Sequence, residues 1–498
     1  MSELTNQSVG TGTGAEFRWT RRHVLALAVL CLAALLDTID VTVVNVAMPA
    51  IRNSLHFSEG GLAWMVDAYM VPFGGFLLLG GRTGDLLGRR LVLVAGTAVF
   101  AVASLGSALA PTSAVMIVTR AIEGLAAAFV VPMTLAMLTS VFPAGPARNR
   151  AFSVWGGISA AAGTLGLVLG GALVSAAGWR WIFLINLPVG LVVIAAALRV
   201  LPADRVPRGS RRPGGFDIGG AVSVTAGASL LAYAVAQTSG HPWGSGETIA
   251  LLSGAAVLAG YFVFHEARVA RDPLMPLPLW RNRSVAGANI VSALLSSAMF
   301  AVFYSTTLYM QQVLHYSALR TGLAYAPFGL SILIAAGAAP AMVRLAGIRM
   351  TSIAGSVVSL GGLLLLARVP AGGHLLTDII LPTVIVGFGA GAVIIPTSVA
   401  AMSGVEAARH GVASALLNVS RQLGGALGLA AIATVVAAST ARSAAAGNDT
   451  PAALTTGFHA GFAVSAALTA AAVVVAAMLL REDGRGQRIN LVELQAAR

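Results

Sequence analysis

Apolar positions in this chain come in long blocks, separated by short connections that carry the glycines, prolines and charges. A bilayer crossing takes about 20 apolar residues. Runs of that order fall at 23–48, 61–81, 91–110, 114–141, 151–176, 180–201, 217–237, 247–267, 284–312, 321–343, 350–369, 376–402, 411–438 and 458–480. The pattern predicts an all-α polytopic membrane protein with 14 transmembrane helices. Between the last two runs, 441–457 reads as a mobile connection rich in polar and small residues.

Composition agrees: 57% of residues are hydrophobic and 10% charged, with a mean hydropathy of +0.84. The net charge of +12 reads as membrane topology and not as a nucleic-acid footprint, because of where the basic residues lie. All 31 are arginine. With the N-terminus inside, 24 of them fall in cytoplasmic segments and only Arg52, Arg180, Arg320, Arg368 and Arg442 in outer loops. Arg120 and Arg421 lie within or at the end of helices. This positive-inside bias predicts both termini in the cytoplasm and an even helix count. The first apolar run is too long for a cleaved signal and reads as a retained helix. Arginine-only usage with heavy Ala, Gly and Val points to a GC-rich bacterial genome.

The absence of lysine excludes a Walker-type phosphate loop and a lysine Schiff base. Active transport by this chain would draw on an ion gradient or a partner chain. No C-x-x-C, H-E-x-x-H or G-x-S-x-G occurs, so neither a metal nor a cofactor is expected. Cys31 is the single cysteine and reads as core packing. Gly10 to Gly14 and Gly387 to Gly391 lack the strand-turn-helix setting of a dinucleotide site.

Ionisable groups inside membrane helices are costly and mark function by default. Asp37 and Asp40 lie three apart on one face of the first helix, and Asp67 lies in the second. Two carboxylates so close in low dielectric cannot both ionise easily, as a proton carrier requires; a pair of satisfied buried acids is the plainer alternative. Arg120 and Glu123, three apart in helix four, can pair on one face, either as a switch broken by protonation or as a static ion pair. Gly163, Gly166, Gly170 and Gly171 form a small-residue stripe on helix five that permits close helix approach, expected at a seam between halves.

Between the second and third runs stands Gly81-Arg82-Thr83-Gly84-Asp85-Leu86-Leu87-Gly88-Arg89-Arg90. Gly81 and Gly88 let two helix ends meet, Asp85 can cap a helix or pair with an arginine, and Arg89 and Arg90 hold the turn on the cytoplasmic face. This G-x-x-x-D-x-x-G-R-R block resembles the loop between helices two and three of the major facilitator superfamily. Asp40 to Pro49, Trp64, Tyr69, Arg120 to Gly124, Trp179 to Gly190 and Asn418 to Gly424 together resemble its fourteen-helix drug:proton antiporters.

That resemblance implies a major facilitator fold of six, two and six helices with inverted three-helix repeats. It divides the chain into a tail 1–22, an N-terminal bundle 23–201, a basic loop with two inserted helices 202–283, a C-terminal bundle 284–480 and a tail 481–498. Arg344, Gly347 and Arg349 echo the opening loop in the second half. By the same resemblance Asp40 matches the helix-one acid, Asp67 a helix-two acid of some multidrug members and Arg120 the arginine linked to proton coupling. The Gly81 to Arg90 turn is read as a gating hinge.

The expected activity is proton-coupled efflux of drug-like or antibiotic-like amphipathic molecules across a bacterial cytoplasmic membrane, by a monomer in contact with lipid. Asn45, Tyr69, Phe300, Tyr304, Gln311 and Asn418 are candidates for the substrate cavity. Two departures stand out: Glu123 replaces the family's usual glutamine, and Gly166-Leu167 replaces its Gly-Pro before Gly170-Gly171. The same fold permits proton-coupled uptake of a nutrient; a transporter-like sensor and a membrane-embedded enzyme remain as rival classes.

Overall fold

The computed structural model describes residues 19–57, 59–143, 146–203, 217–237, 244–270, 273–275, 277–406 and 410–480. Both tails, the Gly10 to Gly14 pattern and most of the basic loop after Ala203 lie outside these residues. Among them, 13 helices are long and apolar enough to cross a membrane. We number them α1 (Arg21–Leu55), α2 (Gly61–Gly84), α3 (Arg89–Ala108), α4 (Ser113–Val141), α5 (Arg150–Ala177), α6 (Trp181–Val200), α7 (Ile218–Val235), α8 (Gly246–Val269), α9 (Arg283–Val313), α10 (Ala318–Leu366), α11 (Leu375–Met402), α12 (Val412–Ala445) and α13 (Thr450–Leu479).

The helices start where side chains can satisfy the first free amides. Thr20 accepts from His23 N at α1, Thr112 from Val115 N at α4, Ser245 from Thr248 N at α8 and Asp449 from Ala452 N at α13. Prolines 49, 72, 132, 340 and 396 lie inside long helices, as membrane helices tolerate.

Two connections differ from the sequence expectation. The stretch 441–457 is mostly helical: the preceding helix runs to Ala445 and α13 starts at Thr450. Alanine, serine and threonine there are compatible with helix, and the turn itself is Gly447 (φ 90°) followed by the Asp449 cap. The second is 344–349, which is not an extended loop: α10 leaves helical geometry at Gly347 alone (φ 82°, ψ 168°). That conformation is accessible essentially only to glycine. A Cβ at Gly347 would meet nothing within 4 Å, so Gly347→Ala tests the backbone cost without a steric one. The expected result is a loss of roughly 1–3 kcal/mol of stability, read as a lower Tm of the purified protein.

The first six helices pack on one another, with α1 against α5, α2 against α4, and α3 against α4 and α6. The last five do likewise, with α9 against α12 and α13, and α10 against α11 and α13. Across the two groups, α2 crosses α12 and α5 meets α10. Helices α7 and α8 pack on each other, and α7 bridges that crossing. Tyr233 packs tilted against Trp64 of α2 with ring centroids 5.9 Å apart, and Thr434 of α12 donates to the Val235 carbonyl at 3.2 Å. At the other end of this pair, His265 bonds Asp217 at 2.7 Å and Glu266 accepts from the Met275 amide at 2.8 Å. Burial works against the Asp217 carboxylate, but the Gly220 amide, Glu266 and His265 together hold its carboxyl below the usual range.

Candidate functional site

Five helices bring one buried polar network together inside the first six-helix group. Arg120 on α4, Asp40 on α1 and Glu123 on α4 are at most 1% exposed. Arg120 Nη1 donates to Asp40 Oδ2 at 2.5 Å and also to Glu123 Oε2, while its Nε donates to the Met65 carbonyl of α2 at 3.4 Å. The guanidinium lies 4.5 Å from the Tyr69 ring centroid and 5.7 Å from that of Phe183. Tyr69 in turn donates from its hydroxyl to Asp37 Oδ1 at 2.5 Å. Asp37 and Asp40 are thus tied to the same arginine, one directly and one through the tyrosine.

The remaining lone pairs are satisfied by residues the sequence did not single out as a site. Asn186 Nδ2 donates to Asp40 Oδ1 at 2.8 Å and to Ser104 Oγ at 2.9 Å. Ser107 Oγ lies 2.9 Å from Glu123 Oε1 and 2.8 Å from Thr119 Oγ1. Ser104 and Ser107 lie three apart on α3, and Asn186 is a polar side chain within an apolar run. Asn186 also falls within the Trp179 to Gly190 stretch that carries the resemblance, but nothing in that stretch gave it a role.

Asp67 stands apart: it is 1% exposed and its Oδ1 has no hydrogen-bond partner among the described residues. Among the cavity candidates, Tyr69 alone belongs to the network. Asn45 and Asn418 turn back onto carbonyls of their own helices. Phe300 packs beside Gly425 of α12, and Tyr304 lines a narrow crevice with Arg52 and Phe458. Gln311, on a π-helical turn ending α9, donates to the Val46 carbonyl of α1 at 2.9 Å and so joins the two groups.

The segment 81–90 is less a loop than a single break. Helical backbone continues to Leu87, and Gly88, with φ 100°, separates it from α3. Arg89 Nη1 donates to the Ala136 carbonyl at 3.2 Å and Arg90 Nη1 to that of Leu201 at 3.1 Å, tying the break to α4 and the end of α6. Gly81 faces Pro132 of α4; the Asp85 side chain lies outside the described residues.

The glycine stripe of α5 is split. Gly166 and Gly170 lie against Ile39 and Val43 of α1, within the first group, because α1 and α5 approach closely there. Gly171 meets the Ala318 carbonyl and Leu319 of α10, across the groups. Nearby, Ser175 Oγ accepts from the Leu319 amide at 3.1 Å. Gly163, with Gly156 and Gly157 on α5 and Gly337 on α10, has open space beside it. Contact between α5 and α10 therefore runs from Leu319 to Thr164, which faces Gly329, in addition to the crossing of α2 and α12.

Residues 30–429 match the Major Facilitator Superfamily. The chain belongs to that superfamily and is a multi-pass membrane transporter, not an enzyme. Among its curated relatives, the cephamycin export protein of Amycolatopsis lactamdurans is 36% identical over 430 residues, 86% of this chain and 87% of that one. The puromycin resistance protein of Streptomyces alboniger is 32% identical over 461 residues, 92% and 90% of the two chains. The family resemblance carried by the sequence motifs is borne out by these relatives. A POT family peptide transporter superposes with a TM-score of 0.65 at 15% identity, covering 93% of this chain and 98% of its own, a likeness of fold alone.

Proposed function

We propose that this chain is a proton-coupled exporter of drug-like or antibiotic-like amphipathic molecules, working by alternating access in a bacterial cytoplasmic membrane with both termini in the cytoplasm. The relatives named for antibiotic export and resistance support the cargo class. Coupling rests on one observation: two fully buried carboxyls, Asp40 and Glu123, share a single guanidinium. Such a cluster is neutral when one carboxyl holds a proton, and an unbalanced buried charge is expensive. Loading and releasing one proton would therefore change how tightly α1 and α4 are tied. Asp37, half-buried and hydrogen-bonded to Tyr69, gives that proton a path from the cluster's edge.

Contact between the groups at Gln311 and Leu319, with open space beside Gly163 and Gly337, supports a state closed at that end and open at the other. We read α10 as two spans. A straight helix of 49 residues would be roughly 73 Å long, more than twice a hydrocarbon core of about 30 Å. Divided at Gly347 it restores fourteen helices, in six, two and six, with α7 and α8 the inserted pair. One proton moved through 100 mV supplies about 2.3 kcal/mol, enough for roughly a fortyfold gradient of a neutral molecule.

Asp40→Asn removes the charge and the exchangeable proton while keeping size and hydrogen bonding. Proton-driven efflux from everted vesicles is expected to fall at least tenfold. Undiminished efflux would remove Asp40 from the coupling role, and efflux that survives collapse of the proton gradient would sink the mechanism.

A further inference from the structure

The second intramembrane arginine is placed very differently from the first. Arg421, on α12, lines a cavity of about 210 Å³ between α9, α10, α11 and α12 with Ser292, Leu295, Met299, Ile332 and Val393. No acidic side chain lines that cavity. Where Arg120 is held by two carboxylates, Arg421 makes one side-chain hydrogen bond, to Ser398 Oγ at 3.4 Å, and no ion pair among the described residues. Across the same cavity Ser292 is 5% exposed and its Oγ has no hydrogen-bond partner among the described residues.

A guanidinium and an unpaired hydroxyl facing one space that no acidic side chain lines define what the space lacks, a negative charge. A guanidinium stays charged inside a protein and offers a planar fork that matches a carboxylate, sulfonate or phosphate. Leaving that charge uncompensated at membrane depth is costly. The cavity is smaller than the roughly 300–1,000 Å³ of a site that encloses a whole drug-sized ligand. Its apolar wall suits the hydrocarbon next to an anionic group.

We infer that the Arg421 cavity is an anion subsite, which takes the carboxylate or sulfonate of an amphipathic organic substrate while the rest of that molecule occupies the space between the helix groups. The inference rests on the exporter reading and names the charge of one part of its cargo. It also divides the work: the acids of the first group handle protons, and the arginine of the second handles substrate charge.

The test uses a matched pair of probes, 8-anilinonaphthalene-1-sulfonate and its neutral counterpart N-phenyl-1-naphthylamine. Each is titrated against the purified full chain in phosphatidylcholine nanodiscs, with empty discs subtracted. Arg421→Ala is expected to raise the Kd of the sulfonate at least tenfold and to leave that of the neutral amine within twofold. Arg421→Lys should recover part of the loss, and Ser292→Ala, which keeps the arginine, should weaken the sulfonate severalfold. Equal effects on both probes, or none on the sulfonate, overturn the subsite. If anionic lipid in the discs displaces the sulfonate only when Arg421 is present, the site belongs to a lipid headgroup and the substrate assignment is wrong. Binding is read without transport, so failure of export is a separate result: wild-type proteoliposomes that carry neither probe under a proton gradient would count against the exporter reading and leave the anion site standing.

Discussion

Arg120→Ala is expected to abolish proton-driven efflux and to give the largest loss of stability of any single substitution in the first helix group. Removing the guanidinium leaves Asp40 and Glu123 facing each other with 0% exposure and only Asn186 and Ser107 as donors. Breaking a buried pair in this way costs about 3–5 kcal/mol, because the charges left behind have no water to return to. Arg120→Lys separates charge from geometry. An ammonium can neutralise one carboxylate but cannot reach Asp40, Glu123 and the Met65 carbonyl together, so this variant should fold better than the alanine variant and still transport poorly. Tm of the purified variants and efflux from everted vesicles are the measurements. Full efflux by Arg120→Ala would remove the cluster from the mechanism.

Gly124→Val is expected to be nearly as damaging without touching a charge. A Cβ at Gly124 would lie 2.7 Å from the Tyr69 carbonyl carbon and 2.9 Å from its Cα, and backbone in a neighbouring helix cannot step aside as a flexible side chain can. Overpacking of this kind typically costs about 1–3 kcal/mol or more. The displaced residue would be Tyr69, whose ring lies under Arg120 and whose hydroxyl bonds Asp37, so the strain enters the polar network directly. Gly163→Ala is the control. Nothing lies within 4 Å of its Cβ position, and alanine favours a helix by up to about 1 kcal/mol over glycine. Folded yield and Tm should fall sharply for Gly124→Val and hold or rise for Gly163→Ala; similar shifts in both would refute the close approach of α2 and α4.

Much of the site was legible along the chain. Asp37, Asp40, Asp67, Arg120 and Glu123 are conspicuous because a charge within an apolar run is rare, and the three-residue spacing of Arg120 and Glu123 brings them onto one helical face. Asn186, Ser104 and Ser107 were not legible. A serine or asparagine in a membrane helix can bond its own backbone, as Asn45 and Asn418 do, or complete an ion pair, and which it does depends on what the neighbouring helix presents. The glycines of α5 show the same limit. Their spacing predicts close approach, but not that Gly166 and Gly170 would face α1 while Gly171 faces α10.

The amino-acid sequence alone establishes that this protein crosses a membrane many times, that its polar turns gather arginine, and that neither lysine-based chemistry nor an intrachain disulfide is available to it. These follow from the length of apolar runs and the cost of charge in hydrocarbon, which are local properties of a stretch of chain. Only the tertiary structure decided which charges compensate one another. Asp40 and Arg120 are 80 residues apart in sequence, and Asp40 and Asn186 are 146 apart. Helix packing neutralised one intramembrane arginine with two acids and left the other, Arg421, facing a cavity with none, because electrostatic energy depends on distance in space and on the dielectric there, not on order along the chain.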